Sequence, residues 1–290
     1  MNITLSFFYI CMKQLSTKAG PIGIFDSGYG GLTIFEYIRK ELPQYDYIYL
    51  GDNARAPYGS RSFEIVYEFT LQAVTKLFEM GCQLVILACN TASAKALRSI
   101  QQNDLQNLDP SRRVLGIIRP TAEIIDELTT SKHVGILGTA GTIQSKTYEM
   151  EIAKLFPHII ASGQSCPMWV PLVENNEYND AGADFFVKKY IDSLLLKDSS
   201  IDSIILGCTH YPLLYNKIRE YTPEHIKIIP QGTYVASSLK DYLQRHPEID
   251  IKCTKNGVSK FFTTESHEKF QEIGSMFLNQ QIEVEQITIP

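Results

Sequence analysis

Val85-Ile86-Leu87-Ala88-Cys89-Asn90-Thr91 runs from four apolar residues directly into a cysteine and two small polar residues. An apolar run this short and unbroken reads as a strand buried on both faces, which calls for a parallel sheet covered by helices. The same grammar extends outward. Upstream, Ser62 to Met80 is amphipathic: Ile65, Phe69, Val74, Leu77 and Phe78 are expected in one buried stripe. Gly81 is placed to close that helix in a left-handed conformation. Further strands are expected at Ile22–Phe25, Tyr45–Leu50, Val114–Ile118, Val134–Leu137, Ile159–Ala161, Ile204–Leu206 and Ile226–Ile229. A second helix over Asp180 to Leu196 carries Phe185, Val187, Tyr190, Ile191 and Leu194. The fold class expected is α/β, with mostly parallel sheets covered by helices.

The opening segment has an echo. Ser203-Ile204-Ile205-Leu206-Gly207-Cys208-Thr209 repeats its strand, cysteine and polar follower, and Gly135-Ile136-Leu137-Gly138-Thr139-Ala140 repeats Gly23-Ile24-Phe25-Asp26-Ser27-Gly28. The offsets are 112 (23 to 135) and 119 (89 to 208), so two halves run nearly in step. Ligands of open α/β sheets bind beyond the carboxyl ends of the strands. Two similar halves facing each other, related by a pseudo-two-fold, would thus aim two thiols into one shared interdomain cleft.

The composition is that of a soluble globular protein. Over 290 residues, 44% are hydrophobic and 20% charged, which excludes collagen-like, coiled-coil and disordered classes. The net charge is −5 with no basic block, so nucleic acid is not an expected partner. No apolar run approaches the ~18 residues of a membrane helix. Residues 1–20 are expected to be a disordered extension: Leu5 to Met12 is apolar, but no Lys or Arg precedes it as a secretory signal requires. The six cysteines, at 11, 82, 89, 166, 208 and 253, include no C-x-x-C pair and read as free thiols in a reducing compartment.

Chemistry concentrates at the strand ends. Cys89 sits where Asn90 or Thr91 could cap a helix, whose amides and dipole would lower the thiol pKa. Cys208 shares that setting, with His210 two residues on and Pro212 suited to a helix's first turn. Asp26-Ser27-Gly28 follows the first strand; a dinucleotide fingerprint there fails because Thr33 stands where the third glycine belongs. Asp52 to Gly59 forms a polar loop in which Tyr58 and Gly59 could offer a wall and amide donors. Glu174 follows Val170-Pro171-Leu172-Val173 as another candidate carboxylate. These residues leave three other readings open: a cysteine hydrolase or amidotransferase using Cys208 or Cys89 with His210, although that histidine need not point at Cys208; a metal module using the two cysteines and His210, a weak zinc signal without short-range pairing; and a non-enzymatic binding protein.

Taken together, GIFDSGYGGLT (23–33), YLGDNARAPYGSRS (49–62), VILACNTASA (85–94), GILGTAGTIQSKTY (135–148), CPMWVPLVE (166–174) and ILGCTHYPLL (205–214) resemble the glutamate racemases, cofactor-independent members of the aspartate/glutamate racemase superfamily. The resemblance spans almost the whole chain after Pro21. It implies that Cys89 and Cys208 are the acid/base thiols, assisted by Asp26, Glu174 and His210. It implies a substrate-binding set of Asp26, Ser27, Tyr58, Gly59, Asn90, Thr91, Thr209 and His210, with Asp26 near the ammonium group. No metal and no cofactor are expected. The implied partner is the small-molecule substrate, L- or D-glutamate, handled by a cytoplasmic homodimer that supplies D-glutamate for peptidoglycan and cell shape. Two α/β domains are implied, residues 21–111 with 237–290 and residues 112–236, the chain crossing near Arg112 and Ala236. Two departures from relatives, Arg119-Pro120-Thr121 and Gln231-Gly232, touch the interdomain region and are expected to bear on regulation and oligomer geometry.

Overall fold

The computed structural model describes residues 18–290. The expected N-terminal extension therefore lies largely outside the described residues. Gly20 already belongs to the fold, its amide donating to Lys252 O at 2.8 Å.

Strands form where the apolar runs fall. β1 (Ile22–Asp26), helix α1 (Gly31–Glu41), β2 (Tyr47–Gly51), helix α2 (Phe63–Glu79), β3 (Leu84–Leu87), helix α3 (Asn90–Lys95) and β4 (Arg113–Gly116) make up the first unit. After a short helix over Ile118–Glu123, the second unit runs β5 (His133–Gly138), α4 (Ala140–Gln144), α5 (Thr147–Leu155), β6 (Ile160–Ser165), α6 (Trp169–Glu174), α7 (Ala181–Lys197), β7 (Ser203–Gly207), a 3-10 turn at Tyr211–Leu214, α8 (Tyr215–Tyr221) and β8 (Lys227–Ile229). The chain then returns to the first unit with α9 (Gly232–Arg245), β9 (Ser259–Thr263), α10 (His267–Leu278) and β10 (Val284–Gln286).

The first sheet has the order β10-β9-β2-β1-β3-β4 and the second β6-β5-β7-β8. Every strand pair is parallel. The run β2-β1-β3-β4 of the first sheet and β6-β5-β7-β8 of the second follow one pattern, so the sequence repeat is a repeat of topology. Register sharpens it. Leu87 pairs with Phe25 and Leu206 with Leu137, the third residues of the two Gly-Ile repeats. Cys89 and Cys208 each lie two residues beyond those paired positions.

Helices cover both faces of the first sheet. α2 packs Val66, Ala73, Val74, Leu77 and Phe78 on one side; α1 and α9 pack Leu32, Phe35, Ile38, Val235, Leu239 and Leu243 on the other. Each buried Val, Leu, Ile or Phe among them contributes about 1.5–3 kcal/mol over exposure, which is why two-sided burial suits continuous apolar strands. Gly81 adopts φ +95, closing α2 as the sequence predicts.

The crossings fall a few residues from Arg112 and Ala236. β4 follows Arg112 yet pairs with β3, so the chain leaves the first sheet only after Gly116. On the return, Ala236 lies inside α9, whose buried residues already join the first core. The second crossing therefore falls between β8 and Gly232.

Candidate active site

Between the carboxyl ends of the two sheets lies a cavity of about 240 Å³. Its wall includes Ser27, Tyr58, Gly59, Cys89, Asn90, Thr91, Glu174, Cys208, Thr209 and His210. All but one of the sequence-predicted site residues thus meet there. The exception is Asp26, which is buried one layer behind the wall.

Cys89 ends the β3 segment, and its own sulfur caps α3, accepting from the Ala92 amide at 3.5 Å. Asn90 and Thr91 are not the cap. Ser27 Oγ stands 3.5 Å from the same sulfur. The expectation of a lowered pKa is overturned: burial, joined by the negative charge of Asp26, pushes the Cys89 thiol up to about 12 against the Ser27 and Ala92 hydrogen bonds. A helix N-terminus contributes only about 0.3–1 kcal/mol to a charge beside it, too little to reverse that.

Cys208 follows β7, and His210 does turn toward it. His210 Nδ1 is 3.9 Å from Cys208 Sγ, and its Nε2 is 3.0 Å from Glu174 Oε1. Burial alone would strip the proton from this imidazole. Hydrogen bonding and charge from Cys208 and Glu174 prevail and raise it to about 10. His210 is therefore an imidazolium at neutral pH, donating from both ring nitrogens. Pro212 opens the 3-10 turn that fixes this geometry.

Asp26 Oδ2 accepts from the Gly28 amide at 2.9 Å, while Oδ1 has no hydrogen-bond partner. Burial raises its carboxyl pKa, opposed by the charge of His210 and the amides of Gly31 and Gly28. Asp26 is buried and does not line the cavity, which its neighbour Ser27 does. Tyr58 supplies a wall, but its hydroxyl donates to Asp52, which Arg55 also holds at 2.7 Å. That hydroxyl is committed. Gly59 O accepts from the Gly141 amide at 2.7 Å, tying the loop to the second unit.

Sequence reasoning missed Thr139 and Cys166, both on the wall. Thr139 Oγ1 lies 2.9 Å from Thr91 Oγ1 and 3.0 Å from Thr142 Oγ1, a hydroxyl cluster bridging the units. The repeat held the signal, because Thr139 is the counterpart of Ser27. Cys166 opens the CPMWVPLVE segment; burial first, then the charge of Cys208, hold its thiol well above the ordinary range.

Among the described residues, no group of three or more His, Cys, Asp or Glu is placed to hold a metal ion. Neither Lys nor Arg lines the cavity, so charged His210 is the positive group on its wall. No helix among the described residues is long and apolar enough to cross a membrane.

One cavity served by a sulfur from each of two matched units defines an enzyme of the amino-acid racemase class. Known proteins agree. The Asp/Glu/Hydantoin racemase family model matches residues 32–236. A glutamate racemase of Roseobacter denitrificans is 36% identical over 272 residues, covering 90% of this chain and 98% of that protein. The crystal structure of a glutamate racemase isoform from Bacillus anthracis superimposes with a TM-score of 0.85 at 35% identity, over 94% of this chain and 99% of that one. A Francisella tularensis glutamate racemase in complex with D-glutamate gives 0.82 at 31% identity, covering 93% and 98%. The chain belongs to the Asp/Glu/hydantoin racemase family, and within it to the glutamate racemases.

Proposed function

We propose that the enzyme interconverts L- and D-glutamate with Cys89 and Cys208 as its two proton carriers, one on each face of the α-carbon. The observation that carries this reading is the matched delivery of both sulfurs to one cavity. Inversion removes the α-proton from one face and adds a proton to the other. A single base can serve both faces only if the substrate turns over, and a cavity of about 240 Å³ opposes that. In the L-to-D direction, the Cys208 thiolate takes the α-proton and the C–H electron pair stays on the substrate as a carbanion delocalised into its carboxylate. The Cys89 thiol then donates to the opposite face. The reverse direction exchanges the roles.

The high pKa of Cys89 suits it to enter the L-glutamate reaction as the acid. His210, charged and held by Glu174, orients Cys208 and supplies the wall's positive charge. Developing negative charge needs preorganised donors in a dry site; Ser27, Asn90, Thr91 and Thr209 provide neutral ones, and Tyr58 and Gly59 shape the wall. Asp26 acts through its charge on Cys89 and His210. The hydrolase alternative would use Cys208, His210 and Glu174 and leave Cys89 idle.

The reading extends to a cytoplasmic homodimer that needs neither pyridoxal phosphate nor metal and supplies D-glutamate for peptidoglycan. It is supported by the family membership and by the D-glutamate held by the Francisella relative. Polarimetry on the purified protein, with L- and D-glutamate supplied separately and no cofactor added, should show rotation decaying to zero from both sides. Static rotation with both enantiomers would overturn the assignment. Activity lost on exhaustive EDTA dialysis and restored by a metal would overturn the metal-free claim.

A further inference from the structure

The two departures noted in the sequence meet each other, in the interior and directly behind the cavity. Gln231, at the second crossing, and Thr121, just past the first, are both buried. Gln231 Nε2 donates toward Ile117 O at 3.1 Å, Thr121 Oγ1 at 3.0 Å and Tyr148 Oη at 2.7 Å. Gln231 Oε1 accepts from Asn90 Nδ2 at 2.9 Å. Tyr148 Oη in turn donates to Asn90 Oδ1 at 2.7 Å, closing a three-membered ring of hydrogen bonds.

The ring has a direction, and one backbone atom sets it. The Ile117 carbonyl can only accept, so the nitrogen of the Gln231 amide must face it. That leaves the oxygen of Gln231 toward Asn90, which must answer with its nitrogen. Asn90 Oδ1 then falls to Tyr148. Turning either amide over would set oxygen against oxygen in a buried place, where an unmet polar group is costly. One Asn90 amide hydrogen remains uncommitted, and Asn90 lines the cavity.

We propose that Gln231 is a positioning residue that fixes which end of the Asn90 amide faces the substrate, so that Asn90 presents a donor to a substrate carboxylate. This rests on the proposed contact between Asn90 and substrate. It also gives the departures a role at the catalytic site rather than in regulation or oligomer geometry. Because the ring joins α3 of the first unit, α5 of the second and both crossings, the same amide holds the two units in the register at which that donor meets the cavity.

The test is a double-mutant cycle read in kcat and KM. Asn90→Ala should lower kcat/KM by roughly tenfold or more, as for a lost buried partner. Gln231→Met, similar in length but without polar atoms, should lower it by a comparable factor, chiefly through KM. In the Asn90→Ala background, Gln231→Met should add almost nothing. Equal losses from Gln231→Met in both backgrounds would show that Gln231 only packs, overturning the positioning role while leaving the Asn90 contact intact. Wild-type kinetics in Asn90→Ala would overturn the contact itself and the proposal with it. If Gln231→Met does not fold, Tyr148→Phe, which removes a single oxygen from the same ring, goes through the same cycle with the same deciding outcomes.

Discussion

A sulfur at the first turn of a helix ionises easily when the helix dipole governs it, yet Cys89 is governed by burial and by the Asp26 carboxyl. His210 shows the opposite balance. Burial works against its charge, and hydrogen bonds and charge from Cys208 and Glu174 restore it. Local sequence shows a cysteine beside small polar residues in both halves, but protonation depends on what the fold brings close. Asp26 is 63 residues from Cys89 in sequence, and Glu174 is 36 from His210. Which residues meet at the cavity was therefore largely legible in the sequence; their charge states were not. A prediction follows for stability. The folded pKa of His210, about 10, lies above the ordinary ~6.5 of an unfolded histidine. Its protonated form is thus stabilised by folding, fully below pH ~6.5, and this contribution disappears as pH rises through about 10. The melting temperature of the wild type should exceed that of His210→Gln most near pH 6.5, with the gap closing by pH 10. A gap constant across that range would show that the ion pairs around His210 do not form.

At the scale of elements, eight strands and the two long helices were readable because two-sided burial leaves unbroken apolar runs. β9 and β10 were not. Ser259-Lys260-Phe261-Phe262-Thr263 is half polar, and the edge strand Val284–Gln286 offers one apolar side chain. Helix stripes were right in period but broad in phase: Val66 and Ala73 are buried in α2 where Ile65 is exposed, and Phe185 of α7 is 63% exposed. Contacts between elements leave no mark on periodicity at all. Gly30 is the clearest case. Its backbone is ordinary helical, so alanine there would be expected to stabilise by about 0.4–1 kcal/mol. A Cβ at Gly30, however, would stand 2.5 Å from His210 Nδ1 and 2.4 Å from Thr209 Oγ1. Gly30→Ala should therefore displace His210 and lower kcat/KM on the order of 10²-fold, with the circular dichroism spectrum unchanged. Near-normal turnover in that variant would contradict the close approach of α1 to the Cys208 strand end.

On the scale of the whole molecule, a repeated strand order places the two sulfurs at equivalent ends of two sheets, with the cavity between them. Their separate identities matter only if each serves one face of the substrate. Deuterium wash-in on single-cysteine variants measures this directly. Racemisation should fall at least ~10²–10⁴-fold in either direction when Cys89 or Cys208 is changed to alanine, because each turnover needs both groups. Exchange of the α-hydrogen should survive on one side only: Cys89→Ala should exchange L-glutamate much faster than D-glutamate, and Cys208→Ala the reverse. Near-normal racemisation in either variant, or wash-in that ignores the enantiomer supplied, would contradict the two-sulfur account.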